Sequence, residues 1–365
     1  MRQSKLFGKT IREISKDEQS VNAQLLIKGG FVDKLMAGVY TYLPLGLRTL
    51  RKIENIIREE MDTIGGQEIL MPALQNKKDW EITNRWNIDV MMKIKTSFGK
   101  EYGLGWTHEE VATPLGKKCT KSYKDFPFAF YQIQTKFRNE KRAKSGILRG
   151  REFLMKDLYS FHTNEEDLDK YYDLVTDAYF KIFEKIGIKN KTYLTYASGG
   201  DFSRYSHEFQ TVAGAGEDTI YICEKCGIAI NKEIVENNQP ECPKCKNENL
   251  KEEKAIEAGN IFKLKNRFSD AFDFKFLDES GKEKTVLMGC YGLGPTRLMG
   301  IIVEKYNDKN GIIWPKSIAP YQVHLVPLGK DDKVKKEAER IYASLQKEKI
   351  EVLYDDRDES PGVKL

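Results

Sequence analysis

The sequence predicts an α+β fold, a mainly antiparallel sheet framed by helices. Two strand-like runs, Phe128 to Phe137 and Arg151 to Tyr159, flank a basic, glycine-containing segment and read as a hairpin. A long helical pattern follows from about Asn164 to Ile186. Near the C-terminus a strand, a helix and a strand make a separate β-α-β start.

Taken in order, Leu47, Leu50, Ile53, Ile57 and Met61 recur at spacings of three and four, which predicts a helix from Leu45 to Met61. Gly65-Gly66 is its stop signal. A short strand, Gln67 to Met71, ends at Pro72, where a residue without an amide hydrogen suits a strand end. The basic segment Asn139 to Gly150 is the hairpin loop. Thr163 and Glu166 form a capping-box pattern before the long helix, and Gly187 closes it. From Cys223 to Lys254 the composition turns polar and cysteine-rich, as an insertion would. Thr285 to Tyr291 reads as a strand and Thr296 to Tyr306 as an apolar-faced helix. After Trp314-Pro315 come strand Gln322 to Pro327, helix Asp332 to Gln346 and strand Glu351 to Leu353. These elements divide the chain into a main domain in two parts, 1–222 and 255–315, a cysteine insertion at 223–254 and a last unit at 316–365.

Composition narrows the class. The chain has 365 residues, 40% of them hydrophobic, which suits two or three folded domains and excludes a disordered protein. Lys and Arg number 60 against 55 Asp and Glu, a mild basic excess of +5 that permits a nucleic-acid partner without demanding one. No apolar run reaches the ~20 residues that span a bilayer, and Met1 to Thr10 holds no hydrophobic signal core. The expected setting is cytoplasmic and reducing, with no membrane partner, so the six cysteines point to metal or isolated thiols rather than disulfides. Cys223-x-x-Cys226 and Cys242-x-x-Cys245, fifteen residues apart, have the spacing of two thiolate knuckles closing a structural Zn²⁺ site.

Two stretches carry phosphate chemistry. In the first, Arg138 and Glu140 sit two apart, which on a strand places them on one face. Arg149, Arg151 and Phe153 lie on the returning side. Guanidinium groups clamp phosphate oxygens, a carboxylate accepts from the adenine amino group, and a ring stacks on the base. A salt-bridged hairpin would show the same spacing. In the second, Gly292-Leu-Gly294-Pro-Thr-Arg297 joins a strand to a helix. The glycines let backbone approach a ligand, and Arg297 adds a fixed charge.

A helix–strand–proline unit, an Arg-x-Glu hairpin and a Gly-x-Gly-x-x-Arg turn occur in the order of the three signature motifs of class II aminoacyl-tRNA synthetases. Gly38-Val-Tyr-Thr-Tyr-Leu-Pro-Leu-Gly46, Thr107-His-Glu-Glu110, Tyr131 to Arg138, Arg151-Glu-Phe-Leu-Met-Lys-Asp157, Ser206-His-Glu-Phe209 and Met288-Gly-Cys-Tyr-Gly292 narrow this further. They resemble the bacterial-type prolyl-tRNA synthetases over nearly the whole chain.

The resemblance implies activation of L-proline by ATP and transfer to tRNA(Pro). It assigns Thr107, Glu109, Arg138 and His207 to the proline pocket, with Cys290 at its floor, where a small buried hydrophobe is the alternative reading. Glu140, Arg149 or Arg151, and Phe153 would hold adenine and triphosphate, with Gly292 and Gly294 beside them. Arg297 would meet the γ-phosphate, Arg138 would bridge both substrates as the main catalytic cation, and Mg²⁺ would enter with ATP. A homodimer through the first motif is expected. The family often carries a large domain that hydrolyses mischarged alanyl-tRNA; a short cysteine ribbon stands here in its place. The final unit resembles the start of an anticodon-binding domain, cut short. The competing expectations are another class II synthetase, a non-catalytic relative that binds RNA or protein, and a zinc-ribbon module. Cys119 is expected to be structural.

Overall fold

The computed structural model of the chain describes every residue except 16–17, 121, 144, 201–204, 236–239, 330 and 365. Nine strands build the central sheet: β1 (Gly66–Glu68), β2 (Phe128–Phe137), β3 (Glu152–His162), β4 (Thr192–Ser198), β5 (Tyr205–Val212), β6 (Asp218–Cys223), β7 (Ile228–Asn231), β8 (Lys251–Lys265) and β9 (Leu287–Leu293). Their spatial order is β5-β4-β7-β6-β8-β9-β3-β2-β1, and β5 also pairs with β8. The β1–β2 and β4–β7 pairings are parallel; the others are antiparallel.

One face of the sheet is covered by helices Pro44–Thr63, Glu165–Lys185 and Pro295–Lys305. The periodic residues Leu50, Ile53, Ile57 and Met61 of the first are buried there, against Val175, Tyr179, Ile182 and Phe183 of the second. Each such side chain contributes roughly 1.5–3 kcal/mol by leaving water, so this face is the larger source of stability. The other face packs Phe130, Tyr159, Phe161 and Met288 against helices Glu109–Cys119 and Arg267–Ala271. Successive residues of β3 alternate between the faces. Leu158 enters the first core and Tyr159 the second.

Element ends differ slightly from the local sequence signals. The strand expected over 67–71 is shorter: β1 spans Gly66–Glu68, and Met71 N–H already donates to the Gln132 side chain. The long helix is capped by Asn164, whose Oδ1 accepts from Asp167 N–H at 2.9 Å, and not by Thr163. Asparagine reaches the same orphan donor one position later. Gly187 follows that helix with φ +86°, a conformation glycine adopts without strain. The cysteine segment is not set apart from the sheet: its strand β7 pairs with β6, which leads into it, and lies parallel to β4.

The C-terminal unit pairs strands Val323–Leu325 and Val352–Tyr354 in parallel beside helix Asp332–Lys347. The chain's first residues complete it. The Met1 ammonium donates to Val352 O at 2.9 Å, and Arg2 bonds Glu339 through both guanidinium nitrogens at 2.7 Å. Glu351 accepts from Arg48 and Lys52 of helix Pro44–Thr63, which ties the unit to the main body.

Candidate active site

A cavity of about 260 Å³ opens where β2, β3, β8 and β9 meet on the face covered by helix Glu109–Cys119. Residues from both phosphate-type stretches line it: Arg138, Glu140, Arg149 and Phe153 from one, Cys290, Gly292, Gly294 and Arg297 from the other. Thr107 lines it as well. The hairpin frays before its charged residues. β2 ends at Phe137 and β3 begins at Glu152, so Arg138, Glu140, Arg149 and Arg151 lie in the connecting segment.

Arg138 sits with its guanidinium carbon 5.1 Å from the Phe153 ring and 6.0 Å from Trp106. Its Nε is buried and has no hydrogen-bond partner among the described residues. Burial, and next the charge of Arg297, pulls its pKa below the usual guanidinium range. Two cations that repel each other across a cavity, one with an unused buried donor, fit an anion. Arg297 is held in place by Leu148 O at 2.9 Å and the Glu257 carboxylate at 3.0 Å. Arg149 bridges Glu140 at 3.0 Å and Glu217 at 2.8 Å, so the salt-bridged reading of the hairpin also holds in part.

Three expected site residues do not themselves line the cavity. Arg151 donates to Glu140 O and Ala37 O, locking the connecting segment to the turn at Gly38. That turn needs glycine: φ is +76°, and a Cβ would come 2.9 Å from Arg151 N. His207 is not among the cavity-lining residues. It lies opposite Ile261, whose side chain enters the core under helix Glu165–Lys185, and its Nδ1 meets Tyr172 OH at 2.8 Å. The strand register therefore turns Glu208, opposite Asn260, toward the cavity side and His207 away from it. Glu109 is wholly buried just behind the wall. Thr107 Oγ1 donates to it at 2.7 Å and the Cys290 thiol at 3.2 Å. Burial, reinforced by Glu109, keeps that thiol protonated by raising its pKa.

Three further buried groups look like ordinary polar residues in the sequence. Arg85 joins Glu109 at 3.3 Å and Glu110 at 2.8 Å. Behind Thr107, Lys136 bonds Asp157 at 2.8 Å and His108 Nδ1 at 2.6 Å. His108 Nε2 faces Pro72 O at 3.1 Å, which can only accept, so Nε2 carries the hydrogen and Nδ1 accepts from Lys136. Burial, then Lys136, holds the His108 pKa down at about 4. Next to Asp157 but on the opposite face, Lys156 donates to Tyr179 OH at 2.6 Å and Tyr291 O at 3.0 Å, and burial pushes its pKa to about 7. A buried lysine in a strand looks like any surface lysine in a sequence; only a Lys-Asp pair inside an apolar run could have hinted at it.

The four cysteines converge. Their sulfurs all lie within 4.8 Å of one another, and Cys223 and Cys245 sulfurs are 3.6 Å apart. Each knuckle ends in a left-handed residue, Gly227 at φ +68° and Lys246 at φ +59°. Cys119 is exposed at the end of its helix.

Residues 92–306 match the tRNA synthetase class II core domain (G, H, P, S and T). A proline–tRNA ligase of Anaplasma phagocytophilum is 41% identical over 383 residues, spanning all of this chain and 89% of that relative. The chain belongs to the proline–tRNA ligase family. Another member, from Thermosipho africanus, is 34% identical over 516 residues, covering 100% of this chain and 91% of its own length. The alignment is far longer than the 365 residues of this chain, so that relative carries a long segment absent here. Residues 322–365 match an anticodon binding domain. Two solved structures of prolyl-tRNA synthetase from Cryptosporidium parvum share the fold. The one complexed with halofuginone and AMPPNP has TM-score 0.76 at 18% identity, over 93% of this chain and 65% of that one. The one with L-proline and AMP has TM-score 0.74 at 19% identity, over 93% and 66%.

His108 supplies a pH test of this buried family motif. The unfolded chain takes up its proton near pH 6.5, the native chain only near 4, so stability is complete above pH 6.5 and falls below it. The loss by pH 4 is about 3 kcal/mol from this group, and His108→Asn is expected to flatten that limb in urea titrations.

Proposed function

We infer that this chain is a proline–tRNA ligase in which Arg138 and Arg297 hold the triphosphate and Glu109 receives the proline ammonium. The observation that carries this is the unpartnered, buried Nε of Arg138 facing Arg297 across the cavity. The proline carboxylate is already a nucleophile, so no general base is required. It attacks the α-phosphorus in line, a P–O bond forms, and the bond to pyrophosphate breaks. Catalysis is positioning plus neutralisation of the charge that builds on the phosphoryl oxygens.

Arg138 lies between the two substrates and takes an oxygen from each. Phe153 offers its ring to adenine, and Glu140 an acceptor to the adenine amino group. Glycine at 292 and 294 leaves the cavity wall low where the nucleotide lies. Thr107 and the protonated Cys290 orient the Glu109 carboxylate toward the imino group. Magnesium enters with ATP, and Glu257 and Asn260 on the cavity wall are the hard oxygen donors that fit it; bound there it would withdraw charge from the phosphates. In the second half-reaction the terminal adenosine hydroxyl of tRNA(Pro) displaces AMP from the adenylate, and the C-terminal unit would face the anticodon arm. His207, turned toward Tyr172, acts at most through the β5–β8 register. Leu70 and Leu74, 76% and 51% exposed beside edge strand β1, are the surface we assign to a second copy of the chain.

Proline-dependent ATP–pyrophosphate exchange tests the reading. Arg138→Ala is expected to lower it at least about 10²–10³-fold with an unchanged melting temperature. Exchange with threonine or serine in place of proline would contradict the assignment.

For the cysteines we propose zinc. A tetrahedral Zn²⁺ with bonds of about 2.3 Å holds sulfurs about 3.8 Å apart, which suits the observed cluster. Purified protein is expected to contain about one zinc per chain by elemental analysis, and Cys242→Ser to lose it with a drop in melting temperature.

We also propose that the chain lacks alanyl-tRNA hydrolysis. A proline pocket excludes smaller amino acids by only about 10–200-fold per missing methylene. Alanine-dependent exchange should therefore be measurable, and alanyl-tRNA should survive incubation with the enzyme.

A further inference from the structure

Behind the Glu109 carboxylate lies a buried charge cluster that does not balance. Glu109 is 0%, Glu110 1% and Arg85 3% exposed. One guanidinium nitrogen of Arg85 reaches both carboxylates, at 3.3 and 2.8 Å. Trp106, Phe268 and Trp80 surround that guanidinium at 4.5, 5.2 and 5.4 Å. Two carboxylates and one guanidinium leave one negative charge in a region walled by aromatic rings, where an uncompensated charge is costly. Glu110 Oε1 accepts from Arg85 and from Thr83 Oγ1, both at 2.8 Å. Its other oxygen, Oε2, is buried and has no hydrogen-bond partner among the described residues.

The neighbouring charges do not supply the missing cation. Lys136 is closed on Asp157, and His108 beside them is neutral. Arg138 stands in the cavity opposite Arg297; it and Lys136 attract Glu109 through space, with Arg85 the guanidinium bonded to both carboxylates. On helix Arg267–Ala271 the Arg267 guanidinium lies 5.7 Å from the outer Phe268 ring. Asp79 and the exposed Lys118 line a second cavity with Glu110. The groups acting directly on the Glu110 carboxyl are Arg85, Glu109, Thr83 and its own backbone N–H.

We propose that Glu110 and Arg85 are positioning residues that make proline binding proton-linked: the empty site holds a proton on Glu110, and the substrate ammonium, arriving at Glu109, expels it. This rests on Glu109 being the proline-binding carboxylate. In the empty protein burial first, against the pull of Arg85 and with the push of Glu109, raises the Glu110 pKa to about 7. The ammonium brings the cluster to two positive and two negative charges. Its field lowers the Glu110 pKa, and the proton passes to solvent. Binding therefore favours the deprotonated carboxyl, so affinity for proline rises with pH up to about 7 and levels off above it. The arrangement also discriminates by charge. A neutral proline analogue cannot complete the balance and leaves the proton in place.

Calorimetric titration of the whole wild-type chain with L-proline at pH 6.5, in three buffers of different ionisation enthalpy, measures the proton directly. The expected heat varies linearly with buffer enthalpy, with a slope of roughly 0.5–1 proton released. Between pH 7.5 and 6 the dissociation constant should rise about tenfold. Glu110→Gln keeps the acceptor for Arg85 and Thr83 but cannot ionise; its proline binding should be independent of both buffer and pH. Wild-type binding with buffer-independent heat overturns the inference and leaves the proline site standing. Absence of proline binding altogether overturns both.

Discussion

The ion pair of Lys136 and Asp157, sealed between two strands, is the constraint on which the site depends. Neither group can be moved or left alone in so dry an environment, because removing one partner of a buried pair costs about 3–5 kcal/mol. Lys136 therefore fixes the tautomer of His108. His108 in turn anchors Pro72 and sets the first turn of helix Glu109–Cys119. Asp157 also accepts from Gln132 at 3.0 Å and Tyr159 at 2.9 Å, and Tyr159 takes the His108 amide hydrogen. Through these bonds the strand pair β2–β3 dictates where the Glu109 carboxylate stands.

From that anchor the two sides of the cavity acquire different characters. Its inner wall is closed and short of one cation: Lys136 is matched by Asp157, but Arg85 faces two carboxylates. Its outer wall has positive charge to spare, since Arg138 has an unused buried donor and Arg297 stands opposite. Under the proposed function an ammonium is drawn inward and a phosphate outward. That reading sets the carboxylate of the amino acid toward the phosphorus of the nucleotide, with Arg138 between them.

Much of this was legible in the chain. The hairpin bounds at Phe128 and Phe137, the long helix, the strand-to-helix turn at Gly292–Arg297 and both cysteine knuckles carry local signals: alternation, periodicity, caps and ligand spacing. The errors were also local. Asn164 rather than Thr163 caps its helix, because side chains one residue apart compete for the same orphan amide, and the charged residues of the hairpin lie past the strand ends. His207, which lies outside the cavity lining, is a different case. Its place depends on pairing opposite Ile261 of β8, more than fifty residues away, and nothing near it in the sequence specifies which face it will take.

The amino-acid order by itself determined the family, the elements and the kinds of group brought to the site, because those follow from short-range pattern and from motifs many residues long. Folding decided which charges are buried together. Arg85, Lys136, Lys156 and Glu110 resemble surface residues as letters; they matter because distant strands and helices close over them and withdraw water. A charge means little until its surroundings are known, and those surroundings come from the far ends of the chain.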